Sequence, residues 1–243
     1  TSHNLGQHFS KAFKIQFEDK DRKKKFAWQT CWGVSTRLIG ALIMAHGDDK
    51  GAILPPKIAP TQIVIIPILF KEHEDKILKK THEVKSRLEK AFSVELDLRD
   101  YSPGYKFNEW ELRGVPLRIE IGPKDVEKNS VTFVRRDTGK KEGVSMDKLE
   151  RTVNDILEDI QRNLYNKAKK FLEDNIFDVN NMKDLEKLAG KGMLRINWCG
   201  KVKCEESLKE HGSIRCIPFK SKKGRCIVCN DETTTVAYFA RSY

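Results

Sequence analysis

Two close pairs of cysteines carry the most specific chemistry in the sequence, Cys199-x4-Cys204 and Cys226-x2-Cys229. Four thiolates suit tetrahedral Zn²⁺, with Zn–S distances of about 2.3 Å, and a Cys-x2-Cys turn aims both sulfurs at one point. With no coordination position left open, such an ion is structural rather than catalytic. Cys216 lies between the pairs and either substitutes for one ligand or packs as a small hydrophobe. A second candidate is Arg37, one residue before the apolar run Leu38 to Ala45. A guanidinium at the rim of a buried helix needs an anion or a ring plane, which points to an internal ion pair or to a ligand.

Tyr101 to Gly114, YSPGYKFNEWELRG, mixes aromatic rings with both signs of charge. Rings beside Arg and Lys serve single-stranded RNA recognition by stacking, while the plainer reading is a helix whose aromatics pack into a core. Gly122-Pro123-Lys124-Asp125 ends a predicted strand and sets a possible helix N-terminus beside Lys124, a site for a phosphate or a base edge. Thr1, Ser2 and His3, followed by Leu5-Gly6-Gln7, could form a polar ligand loop, although a lone histidine is more often structural. Neither a Gly-rich phosphate loop nor a Ser-His-Asp spacing is present.

These residues need elements to hold them. A chain of 243 residues accommodates two or three modules. Its 46 Lys and Arg against 35 Asp and Glu give a net charge of +11, which favours a polyanionic partner or simply reflects a lysine-rich composition. No apolar run approaches the ~20 residues that span a bilayer, so no membrane is expected. Thr1-Ser2-His3 has neither an initiator Met nor a secretory pattern and reads as the start of a segment within a longer protein. Six cysteines, five of them between Cys199 and Cys229, fit a reducing, cytoplasmic compartment better than a disulfide framework.

Alternation in Lys11 to Asp19 predicts a strand, and Ser35 to His46 predicts a buried helix ending at Gly47 as a C-cap. Leu54-Pro55-Pro56 and Ala59-Pro60 break regular structure and mark a first boundary. Strands over Gln62 to Leu69, Val94 to Arg99, Pro116 to Ile121 and Val131 to Arg136 alternate with helices over Glu74 to Phe92 and from Ser102 onward. A long helix follows, with Leu149, Val153, Ile156, Ile160, Leu164, Ala168 and Phe171 on one stripe and Ser145 as its N-cap. This order predicts a three-layer α/β sheet with some parallel pairs. A smaller unit with a helix near Met182 to Leu188 and a strand over Met193 to Trp198 contains the cysteines.

Several segments together resemble prolyl-tRNA synthetases of the eukaryotic and archaeal type along essentially the whole chain: TSHNLGQHFSKAF, CWGVSTRLIGALIMAHGDDKGAILPPKIAP, RDYSPGYKFNEWELRGVPLRIEIGPKD, VRRDTG and YFARSY. The resemblance implies ATP-dependent ligation of L-proline to its tRNA through a prolyl-adenylate. It implies three parts: residues 1–59, the end of a class II antiparallel-sheet catalytic domain including motif 3; residues 60–172, an α/β anticodon-binding domain; and residues 173–243, a small α+β zinc-binding domain. By the same likeness Arg37, Ser35 and Thr1 contact ATP, used with Mg²⁺. His3, Trp32 and Gly33 form part of the proline pocket, and Cys31 stands where relatives commonly have Ser. Glu111, Arg118, Lys124 and Asp125 would read the anticodon, and Cys199, Cys204, Cys226 and Cys229 would hold structural zinc. Tyr243 would pack back toward the catalytic domain, and the enzyme would be a homodimer through that domain. Class II motifs 1 and 2 are not among these residues, so the segment alone is expected not to activate proline. A non-catalytic tRNA-binding accessory module derived from the same fold is the alternative.

Overall fold

The structure, a computed structural model, describes residues 2–219 and 221–241. It divides into two compact units, residues 1–161 and 162–243. The first unit runs β1 (Ser2–Gly6), α1 (His8–Ala12), β2 (Gln16–Glu18), β3 (Lys24–Phe26), β4 (Gln29–Trp32), α2 (Arg37–His46), β5 (Ile63–Pro67), α3 (Glu74–Leu88), β6 (Val94–Leu96), α4 (Pro103–Arg113), β7 (Leu117–Ile121), α5 (Pro123–Glu127), β8 (Ser130–Arg135) and β9 (Lys141–Ser145). The long helix α6 (Leu149–Asp174) passes the division at residue 161.

Five strands form one mixed sheet in the order β6-β5-β7-β8-β9. β5 pairs in parallel with β6 and β7, and the β7, β8 and β9 pairs are antiparallel. The near-continuous β-branched run of β5 suits a strand covered on both faces, and all five of its residues are buried. Period two then sorts the sheet into faces. Ile63, Ile65, Leu117, Ile119 and Phe133 share one face, against which α3 lies with Ile77, Val84 and Leu88 buried. Val64 and Ile66 face the other way, onto Trp110 and Phe107 of α4 and Val115 beyond it. Helix, sheet and helix make the three layers expected from the alternation of elements. Within α4, Ser102 accepts the Tyr105 N–H, Pro103 opens the first turn, and Gly114 at φ +76° closes it in the left-handed region.

Three expectations are corrected. The segment from Lys11 to Asp19 is not one strand: α1 closes through Phe13 N–H to Phe9 O, and only Gln16–Glu18 is extended. α2 is not buried. Its Leu38, Ile39 and Met44 are exposed, because the surrounding chain forms only two-stranded ribbons (β1 with β4, β2 with β3) that do not supply a covering layer. The helix ends at Gly47 as its C-cap, as expected, with extended backbone there; glycine is required because a Cβ would meet Ile43 O at 2.6 Å. Finally, Ser145 ends β9 and makes no side-chain capping bond; a 3-10 turn, Met146–Lys148, precedes α6.

The second unit contains β10 (Ile176–Asp178), α7 (Met182–Leu188), β11 (Met193–Asn197), α8 (Val202–Glu206), β12 (Ser213–Cys216), β13 (Gly224–Arg225), β14 (Glu232–Thr233) and β15 (Val236–Ala240). A four-stranded sheet in the order β10-β11-β15-β12 has one parallel pair, β10 with β11. Val179, Leu185, Leu194, Ile196, Leu208, Ile227, Ala237 and Phe239 are its buried core. No described helix in either unit is long and apolar enough to cross a membrane.

Candidate RNA-reading surface and candidate metal centre

The described residues expected to face ATP and proline lie on β1, on and just after β4, and at the start of α2. β1 and β4 are antiparallel, with His3 opposite Cys31 and Ser2 opposite Trp32. Partners in such a pair share a face and neighbours alternate, so His3 and Trp32 lie on opposite faces of the ribbon, and Gly33 follows directly. Ser35 accepts the Leu38 N–H at the entry of α2, whose first residue is Arg37. Arg37 makes no ion pair and no ring contact among the described residues, so the internal-ion-pair reading of its charge falls away. Thr1 and Tyr243 lie outside the described residues.

Glu111 and Arg118 meet on the α4 face of the five-stranded sheet, while Asp125 bonds to Thr132 on that face and Lys124 is exposed beside it. β7 alternates Leu117-Arg118-Ile119-Glu120-Ile121, so the two charged residues share the face that α4 covers only in part. Arg118 Nη1 donates to Glu111 Oε1 at 2.9 Å and Nε donates to Glu120 Oε1 at 3.1 Å. Its guanidinium carbon lies 4.2 Å from the centre of the Phe107 ring, a cation–π stack. The fork is thus clamped at two edges and one face, while Nη2 has no protein partner among the described residues. A planar donor held this way offers its remaining Nη2 hydrogens, in a fixed direction, to an acceptor such as guanine O6 or N7.

Asp125 also holds the start of α5. The helix has only five residues, and Asp125 Oδ2 accepts the Gly122 N–H at 2.9 Å while Oδ1 accepts from the Thr132 hydroxyl at 2.9 Å. Its own carboxylate therefore occupies the helix start, which removes the phosphate reading of that terminus. Lys124 is exposed beside it. The aromatics of the 101–114 segment divide between the two readings. Phe107 and Trp110 pack on Val64 and Ile66, whereas Tyr101 and Tyr105 are about half exposed with ring centres 4.7 Å apart.

α4 is anchored by a buried polar network. Asp97 accepts from Arg99 Nη2 at 2.7 Å and Nε at 3.0 Å, and from Trp110 Nε1 at 2.8 Å, while Lys106 Nζ donates to Asp97 O at 3.2 Å. The Arg99 guanidinium, with the indole N–H, holds the Asp97 carboxyl at about 2, well below the usual carboxylate range. The C-terminal end of α4 is tied to the turn after α2 by Arg136, which is almost fully buried. It donates to Asp48 Oδ2 at 2.8 Å, Asp48 Oδ1 at 2.6 Å, Glu111 O at 3.0 Å and Gly51 O at 3.2 Å.

In the second unit, the sulfurs of Cys199, Cys204, Cys226 and Cys229 all lie within 4.8 Å of one another, although the four residues are spread over 31 positions of chain. The Cys199–Cys204 and Cys229–Cys199 sulfur separations are 3.5 and 3.7 Å. A tetrahedral Zn²⁺ with Zn–S of about 2.3 Å requires sulfurs roughly 3.8 Å apart, so the donor set fits. Cys216 is on exposed β12 and outside the cluster. Burial, then the neighbouring thiols, push the Cys204 thiol up to about 12. At Cys226 burial also raises the value, but the backbone N–H groups of Cys229, Val228 and Cys199 outweigh it and bring the thiol to about 7. One thiolate is thus easily formed, and Cys204 would need a cation to follow it, as in a cluster that takes up a metal.

Sequence reasoning missed Glu120, Thr132, Lys141 and Arg136. The i, i+2 spacing of Arg118 and Glu120 in a strand was a usable signal; the partners from β8 and β9 had none.

Residues 62–156 match the family model of an anticodon binding domain, and residues 183–243 match that of the prolyl-tRNA synthetase C-terminal domain. Among curated proteins, the chain is 45% identical over 249 residues to a proline–tRNA ligase 2 of Bacillus cereus, covering 100% of this chain and 52% of that protein. It is 47% identical over 252 residues to the proline–tRNA ligase of Natranaerobius thermophilus, and 47% over 250 residues to that of Alkaliphilus oremlandii, with the same coverage in both cases. The chain spans about half the length of the curated relatives it matches. With both domain models matched in order, and this identity sustained over its whole length, the chain belongs to the prolyl-tRNA synthetase family of aminoacyl-tRNA synthetases.

Proposed function

We propose that this chain supplies the motif 3, anticodon-reading and zinc-binding parts of an enzyme that uses ATP to ligate L-proline to its tRNA. The observation that carries the reading is the Arg118 fork, held by Glu111, Glu120 and Phe107 with Nη2 unpartnered among the described residues, on the very domain that matches an anticodon-binding model. Arg118 donates to an anticodon guanine, Glu111 and Asp125 provide carboxylates for amino groups, and Lys124 at the rim adds a further donor. Residues 1–59, 60–172 and 173–243 are the three parts in this reading, and the type is that of the eukaryotic and archaeal enzymes.

Arg37, unpaired among the described residues, lies against ATP bound with Mg²⁺, and Ser35 and Thr1 contact the same nucleotide. His3 and Gly33 border the proline site, with Trp32 on the ribbon's opposite face. The exposed apolar residues of α2 support a covering layer from the rest of a class II catalytic domain, through which the enzyme dimerises in the cytoplasm. Zinc held by Cys199, Cys204, Cys226 and Cys229 would cross-link the loops of the second unit, with no role in the reaction. The accessory-module reading gains no support, since such a module has no use for an unpaired Arg37.

The test measures tRNA charging and proline-dependent ATP–pyrophosphate exchange in the full-length enzyme. Arg118→Ala or Lys124→Ala is expected to reduce charging by tenfold or more, roughly 1–3 kcal/mol per base contact, and to leave exchange nearly intact. Equal loss of both activities refutes the anticodon role.

A further inference from the structure

The charged face that holds Arg118 continues beyond the four residues expected from the sequence. Glu120 is on the same face of β7, and its side chain is only 3% exposed. A carboxylate so placed is costly unless cations meet it, and two do: Arg118 Nε at 3.1 Å on Oε1, and Lys141 Nζ on Oε2. Lys141 opens β9 and pairs across the sheet with Val134, which in turn pairs with Arg118, so all three residues share a face. Unlike Glu120, its side chain is 59% exposed. The next residue of β9 on that face is Gly143, around which a Cβ would find nothing within 4 Å. The surface beside Lys141 is therefore open, and it adjoins Thr132, which holds Asp125.

We propose that Glu120 is the positioning residue of the anticodon-reading surface, and that Lys141, which it holds, is a further RNA-contacting residue that extends the surface across the sheet to β9. The inference rests on the anticodon reading above. Glu120 is too buried to touch RNA itself. Its work is to fix two cations at once: it sets the in-plane angle of the Arg118 fork, whose Nη2 has no partner among the described residues, and it keeps the long Lys141 side chain from ranging over solvent. Ordering both donors before binding removes an entropic cost that each would otherwise carry. Of the three ammonium hydrogens of Lys141, Glu120 uses one, and the others remain for a phosphate or a base edge.

The experiment measures binding of the proline anticodon stem-loop to the full chain by fluorescence anisotropy, at several salt concentrations, beside a stem-loop with an altered anticodon. Lys141→Ala is an exposed change expected to weaken cognate binding about tenfold and to reduce the slope of log K against log salt by about 0.7. Glu120→Gln preserves shape and removes charge; it is expected to weaken cognate binding about tenfold and altered-anticodon binding by less than about twofold, so discrimination falls. In an Arg118→Ala, Lys141→Ala background, Glu120→Gln is expected to cost nothing further, which a merely structural residue would not show. If Arg118→Ala lowers discrimination while Lys141→Ala and Glu120→Gln leave affinity and salt slope unchanged, the proposal is overturned and the anticodon reading stands. If the unaltered chain binds both stem-loops equally, the anticodon reading fails and this inference fails with it. Should Glu120→Gln not fold, Lys141→Ala alone decides.

Discussion

Arg136→Met should release the turn after α2 from the end of α4. The guanidinium makes four hydrogen bonds, two to the Asp48 carboxylate and one each to Glu111 O and Gly51 O. Bonds to a charged partner are worth about 1.5–3 kcal/mol each when buried, but Asp48 is 44% exposed and water recovers much of that on release. The net loss is about 2 kcal/mol, which is about thirtyfold in a local opening equilibrium. The amides that report it are Ala52 N–H, bonded to Leu112 O at 3.1 Å, and Leu54 N–H, bonded to Gly114 O at 3.1 Å. Hydrogen exchange at these two should accelerate by that factor, while Ile65 and Ile119 in the sheet interior keep their protection. Asp48→Asn is the graded control. The Arg136 guanidinium holds the Asp48 carboxyl at about 2, and after discount for exposure its charge contributes about 1 kcal/mol, or roughly fivefold in exchange. Acceleration of less than about threefold at Ala52 in Arg136→Met, or equal acceleration at Ile65, would refute a local clamp.

Three further outcomes are expected. The chain should bind one equivalent of zinc, lost in the Cys226→Ser, Cys229→Ser double variant; chelation should destabilise residues 162–243 and spare the first unit, and zinc that persists in the double variant would exclude this ligand set. Asp97 has a depressed folded-state pKa of about 2, so its stabilisation is fully present above about pH 4 and is lost as pH falls through about 2. Acid titration followed at the Trp110 indole N–H should show this loss, and Asp97→Asn should cost about 2 kcal/mol at neutral pH and flatten the acid limb; a variant as stable as the parent at pH 7 would count against the network.

Much of the α/β core was legible because period two and period 3.6 are properties of the chain itself. β5 announced itself by a run of β-branched residues, and α4 by Ser102-Pro103 at its start and Gly114 at its end. The cysteine spacing similarly singled out the four residues that the fold gathers. Other features left no such trace. β9, Lys-Glu-Gly-Val-Ser, has a single buried apolar residue and therefore no alternation to detect. The apolar run of α2 signalled burial, yet burial depends on a neighbouring layer, and a helix cannot encode whether one is present.

The sequence by itself determined which residue types are available and which local elements carry them: a guanidinium at the head of α2, alternating charges on β7, and paired thiols separated by tight turns. Only the tertiary structure decided their company. It places Lys141 against Glu120 across two intervening strand pairings, occupies both oxygens of Asp125, and leaves Cys216 outside the cluster. The physical reason is that propensity and period act over a few residues, whereas the partners of Arg118 and the closeness of the four sulfurs depend on strand order and register, which long-range packing sets.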